Sequence, residues 1–231
     1  MQRNLGFSGL ITIIADWIMK LSVLNIVWMI TNLPILFIAF LMIFSPSDYV
    51  LAVLTIPLVI FLPIVFFPGT TAMFATVREW VMKKEQPSII KSYLSHLKDN
   101  YIQSMWSGLG LTGLWVVWAL DYFFFRTRHD LLAVVFLLIG VLLIIFTINY
   151  FCISVHYHMG KREMYKNAFY ITVGSPLLLI TLISANILVI YLSARFLFLI
   201  PFFTVSLIVL LSYLAFYQFT LKVEKKLTET K

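Results

Sequence analysis

Six stretches of apolar residues, each 20 or more long, alternate along the chain with short polar or basic segments: Leu21–Phe44, Val50–Val77, Tyr101–Phe123, Leu131–His156, Ala168–Ser193 and Phe196–Leu221. A hydrocarbon layer about 30 Å thick needs about 20 such residues in a helix. The pattern therefore predicts an all-α, polytopic transmembrane helix bundle of about six spans, organised as one domain over residues 1–231. Before the first span, Ser8, Thr12, Asp16 and Lys20 recur every four residues, opposite Leu10, Ile13, Ile14, Trp17, Ile18 and Leu21. That spacing predicts an interfacial amphipathic helix over 6–20, with Asp16 and Lys20 at pairing distance. The charges of this segment and the lack of a small-residue cleavage site argue against a removed leader.

Between the second and third spans lies the linker 78–100. Pro87 suits a first helical turn, after which Ile89, Ile90, Tyr93, Leu94 and Leu97 share one face and Lys91, Ser95 and Lys98 the other. This second amphipathic helix either rests on the membrane or offers a docking surface through Ile90, Tyr93, Leu94, Lys98 and Asn100. The tetrads Lys98-Asp99-Asn100-Tyr101 and Lys166-Asn167-Ala168-Phe169 echo one another, with Asn100 and Asn167 as candidate caps of the third and fifth spans.

Composition supports lipid as the solvent. The chain is 61% hydrophobic and 12% charged, with mean hydropathy +0.98, where soluble domains carry about 25% charged residues. Its 21 Phe, 11 Tyr and 6 Trp suit interfaces that hold amphipathic rings. The net charge of +7 reads as a topology signal rather than as a nucleic-acid footprint. With the N-terminus inside, Arg126, Arg128 and Arg195 are the cations of the outer loops, which leaves fourteen of the 17 Lys and Arg inside. Both termini are then expected in the cytoplasm, with a lipid bilayer as the main partner.

Polar and helix-breaking residues inside the spans are the candidates for function. Asn25, Trp28, Asn32 and Pro34 interrupt the first span, with the two asparagines seven residues apart and so nearly on one face. Amides in hydrocarbon need partners, so these residues either join helices or line a polar cavity. In the second span, Pro68-Gly69-Thr70-Thr71 predicts a helix break, with Thr70 or Thr71 capping the helix that follows. Such a break either redirects the chain or exposes a helix end to a solute.

Catalytic signatures such as His-Glu-x-x-His, a Walker loop or Gly-x-Ser-x-Gly are missing from the sequence. Cys152 stands alone, and His156 and His158 are too close in sequence to share a helix face. Neither catalytic residues, cofactor nor metal site is expected. Carboxylates fall at span ends or in loops, which disfavours a proton-driven pump.

Three ordered motifs resemble the YesL-like family of bacterial integral membrane proteins, grouped as a domain of unknown function. They are Asn25-x-x-Trp28-x-x-x-Asn32-Leu33-Pro34, Pro68-Gly69-Thr70-Thr71-Ala72-Met73-Phe74 and Lys98-Asp99-Asn100-Tyr101-Ile102-Gln103-Ser104. The likeness is densest before Asp121, and Asn32 stands at a position where variation is expected. The resemblance implies a bacterial cell-membrane protein encoded near uptake systems for complex carbohydrates. It implies a non-enzymatic accessory to an ATP-driven transporter. A small-solute transporter or channel in its own right is the alternative.

Overall fold

The computed structural model describes residues 7–45, 47–84 and 88–229. Arg3, Pro87 and Lys231, which entered the orientation and helix-start arguments, lie outside the described residues. The described chain is built from ten α-helices and one π turn: α1 Phe7–Thr31, α2 Leu33–Ile43, α3 Asp48–Phe61, the π turn Leu62–Phe66, α4 Phe67–Val81, α5 Ile89–Arg126, α6 Asp130–His156, α7 Lys161–Gly174, α8 Pro176–Arg195, α9 Leu199–Phe202 and α10 Thr204–Glu229. Six helical segments are long and apolar enough to cross a membrane: Gly9–Thr31, Asp48–Val81, Ile89–Arg126, Asp130–His156, Pro176–Arg195 and Thr204–Lys226.

The count agrees with the sequence pattern, but several helix ends fall elsewhere. No proline or glycine occurs between Leu10 and Thr31, so the stretch read as an interfacial helix continues unbroken into α1. The interruption comes at Asn32, because Pro34 stands in the first turn of α2 and has no N–H for the Ile30 carbonyl. The backbone bends there without separating, since Asn32 N–H still reaches the Trp28 carbonyl at 2.9 Å. Likewise no proline lies between Ser88 and Arg126, and the amphipathic linker helix and the third span are one 38-residue helix. Asn100 is thus inside α5 and Asn167 inside α7, and neither begins a span. Pro176 disfavours a helical Ser175 and sets the real start of α8.

The break expected at Pro68-Gly69 is also absent. The helix runs from α3 into α4 through the π turn, where Phe67 N–H bonds to the Leu62 carbonyl, five residues back. The widened turn holds Pro63, and Pro68 follows in the first turn of α4. Every residue from Phe67 to Val77 is buried, so α4 is the central post of the bundle, packed by α1, α5, α6 and α10. Its Gly69, Thr70, Thr71, Ala72, Ala75 and Thr76 are small, and small residues let helices approach closely in lipid. Below them, the rings of Phe74 and Phe151 stack at 5.2 Å and Phe67 lies 5.7 Å from Phe151.

Candidate functional site

Of the polar residues singled out in the first span, Trp28 and Asn32 meet α4. Trp28 Nε1 donates to Thr70 Oγ1 at 3.2 Å, in a buried contact between α1 and α4. One turn further, Thr31 Oγ1 donates to the Val27 carbonyl at 2.6 Å. Its single proton is then committed, so the Tyr93 hydroxyl, 3.0 Å away on α5, is the donor in their contact. Asn32 Nδ2 donates to the Trp28 carbonyl at 2.9 Å. Its Oδ1 is buried and accepts no hydrogen bond. Thr71 does not cap a helix; its hydroxyl bonds back to the Phe67 carbonyl at 2.9 Å.

Gly69 sits at the crossing. A β-carbon there would lie 2.9 Å from Asn32 Nδ2 and 3.3 Å from the Tyr93 hydroxyl oxygen. Glycine is needed at this position for close approach, and the φ angle of Gly69 is not in the left-handed region. Pro68 is buried beside it, while Pro34 is half-buried at the bend.

Asn25 shares a helix face with Asn32 in the sequence pattern but serves other neighbours. Its Nδ2 donates to the carbonyls of Pro201 at 2.7 Å and Ile200 at 3.2 Å. Its Oδ1 accepts from Ser206 N–H at 3.0 Å. The side chain therefore satisfies both the end of α9 and the start of α10.

Of the candidate docking residues on α5, Ile90 and Leu94 are exposed and Lys98 is exposed with them. Tyr93 is fully buried in the seam, so it cannot meet a partner. Asn100 is half-buried and bonds back to the His96 carbonyl at 3.0 Å.

The family match takes in the helices that build this seam. Residues 21–122 match the family described as "Protein of unknown function, DUF624". That match spans a little under half of the chain and is a likeness to the DUF624 family. Two relatives from Bacillus subtilis (strain 168) resemble it. "Uncharacterized protein YteU" is 26% identical over 161 residues, covering 68% of this chain and 72% of the relative. "Uncharacterized protein YesV" is 27% identical over 114 residues, covering 48% and 55%. No solved structure matches.

Within the DUF624 segment lie Asn25, Trp28, Thr31, Asn32, Gly69, Thr70 and Tyr93; the carbonyls and N–H held by Asn25 come from outside it. Further interhelical polar contacts escaped the sequence reading because each joins distant residues. Ser92 Oγ donates to Glu79 Oε2 at 2.7 Å, and His96 Nε2 lies 3.1 Å from Glu79 Oε1, latching α4 to α5. His156 Nδ1 meets the Tyr213 hydroxyl at 2.9 Å. Tyr165 donates its hydroxyl to the Ser107 carbonyl. Burial, with Tyr150 beside it, holds the Tyr165 phenol well above its ordinary range and keeps the proton that this bond needs.

An apolar recess of about 780 Å³ opens beside the seam, lined by Trp28, Phe66, Phe67, Trp115, Trp118 and Phe151 among others. Chemically the seam is a set of neutral donors and acceptors. Among the described residues, no group of three His, Cys, Asp or Glu is close enough to hold a metal ion.

Proposed function

We propose that this chain is a non-enzymatic accessory subunit that acts through contact with another membrane protein, in an ATP-driven carbohydrate uptake system of the bacterial cell membrane. On this reading both ends of the chain are cytoplasmic. The seam is the observation that supports it. Asn25, Trp28, Thr31, Thr70 and Tyr93 spend their hydrogen bonds between helices, so groups suited to line a solute path hold the bundle together instead. The large recess next to them is apolar and offers little to a sugar hydroxyl. The exposed face of α5, with Ile90 and Leu94 beside Lys91 and Lys98, is the surface we assign to the partner. The carbohydrate element of the proposal rests on the YesL-like resemblance.

Affinity purification from cross-linked native membranes tests this. A transporter subunit should be recovered with the wild-type chain and depleted with the Ile90→Ser, Leu94→Ser double variant. Recovery of no transporter subunit with either would defeat the reading. One observation favours a solute path instead: the buried, unpartnered Oδ1 of Asn32. Flux of sugars or ions above that of empty vesicles, abolished by Asn32→Ala, would establish that alternative.

A further inference from the structure

The end of the bundle that carries Lys83 also carries a second, very different recess. It has a volume of about 560 Å³ and lies between the early part of α1, the end of α4 and the start of α5. Its lining combines three lysines with an apolar wall: Lys20, Lys83 and Lys84 on one hand, and Trp17, Met19, Val23, Trp80, Ile89 and Ile90 on the other. Trp17 and Trp80 meet edge to face at 6.1 Å. Lys20 Nζ lies over the Trp17 ring, 5.7 Å from its centroid, rather than pairing with Asp16. Among the described residues no carboxylate comes within ion-pair distance of the three ammonium groups, and none lines the recess.

We propose that this recess binds the headgroup of an anionic phospholipid, its phosphate held by Lys20, Lys83 and Lys84 and its glycerol and upper acyl carbons lying along Met19 and Val23. Among the described residues, three cations line one cavity that no carboxylate lines, which favours an anion. The apolar wall selects a lipid over a free anion, because inorganic phosphate gains nothing from Met19 or Val23, whereas acyl carbons do. A choline or ethanolamine headgroup brings its own cation, which the third lysine would repel. A headgroup of net negative charge satisfies all three. Tryptophan and lysine side chains of this kind belong at the depth where phosphates lie.

The test uses the purified full chain and native mass spectrometry with added dioleoyl phosphatidylglycerol or dioleoyl phosphatidylcholine. The wild type should retain phosphatidylglycerol selectively. Each lysine lost should weaken retention roughly fivefold, by the surface electrostatics of a lysine near anionic lipid. The Lys20→Gln, Lys83→Gln, Lys84→Gln variant should therefore lose nearly all selectivity. A variant of equal charge change on exposed α7 residues, Lys161→Gln, Arg162→Gln, Lys166→Gln, should keep it. Should the first triple variant fail to fold, Lys20→Gln alone carries the test and should show a partial loss. Equal retention of both lipids by the wild type overturns the proposal, as does an equal loss in the two triple variants or no loss in Lys20→Gln. Displacement of the lipid by millimolar inorganic phosphate would also overturn it, since the site would then be one for a free anion.

Discussion

Asn25 caps a helix that begins far along the chain: its Oδ1 accepts the N–H of Ser206, 181 residues later, at 3.0 Å. Phe203 occupies the position where a helix usually supplies its own cap, since its carbonyl accepts from Leu207 N–H at 2.8 Å. A phenyl ring has no oxygen to offer the first free N–H groups of α10. Asn25 provides the acceptor from α1, and its amide protons bind the carbonyls of Ile200 and Pro201. Asn25→Ala strands all three backbone groups. It should cost about 1–3 kcal/mol, read as a lower midpoint in denaturing-detergent titration. Asn25→Asp keeps the acceptor for Ser206 but turns an oxygen onto two carbonyls, and should not restore wild-type stability.

The crossing of Gly69 and Asn32 yields a coupled pair. A methyl group at position 69 displaces Asn32 Nδ2, which is fixed by the Trp28 carbonyl. Gly69→Ala should therefore destabilise by about 1–3 kcal/mol, the usual range for overpacking, and Gly69→Leu should impair assembly altogether. Since Asn32→Ala removes the obstructing amide, the double variant should be more stable than the sum of the single losses predicts. Thermal unfolding of the four proteins in one detergent measures the coupling. Additive losses would mean that the two side chains do not compete for the same space.

These two sites also mark how far the sequence could be read. Span number follows from local hydropathy, and Asn25, Asn32 and Gly69 stand out because an amide or a glycine in hydrocarbon needs a reason. Their partners do not follow, because Ser206 and Pro201 come from the far end of the chain. The proline-rich second span was misread for a related reason. Proline's local effect is to break a helix, but here a π turn at Leu62–Phe66 carries the helix from α3 into α4. Tyr93 sits on the apolar face of an amphipathic pattern, and only the path of α1 reveals that Tyr93 is covered while Ile90 and Leu94 stay exposed.

The end of α4 carries a removable strain. Lys84 N–H bonds to the Glu79 carbonyl at 2.9 Å and Lys83 N–H to that of Trp80 at 3.1 Å, the pairing of a Schellman motif. The residue in the left-handed position of such a motif is usually glycine, but here it is Lys83, with φ 55°. Left-handed backbone costs a residue with a β-carbon roughly 1–2 kcal/mol. Lys83→Gly should thus raise the unfolding midpoint in lipid-free detergent, by about 1 kcal/mol after the entropy of the unfolded glycine is counted. The same variant should gain less from added phosphatidylglycerol than the wild type does. An unchanged or lower midpoint without lipid would show that Lys83 holds α4 in some further way.

Side-specific labelling tests the arrangement of the charges. Cys152 is the one cysteine of the chain and is fully buried in the core, so it should resist a charged maleimide. Cys152→Ala removes a single sulfur-sized volume and gives a clean background. Lys83 and Lys226 are both exposed and near the ends of α4 and α10. The asymmetry of cationic residues along the chain predicts that they share one side of the membrane. Lys83→Cys and Lys226→Cys should therefore react from the same face of oriented vesicles, and Arg128→Cys, in the loop between α5 and α6, from the opposite one. Reaction of Lys83→Cys and Lys226→Cys from opposite faces would require an odd number of crossings between them, which four intervening or bounding spans cannot supply.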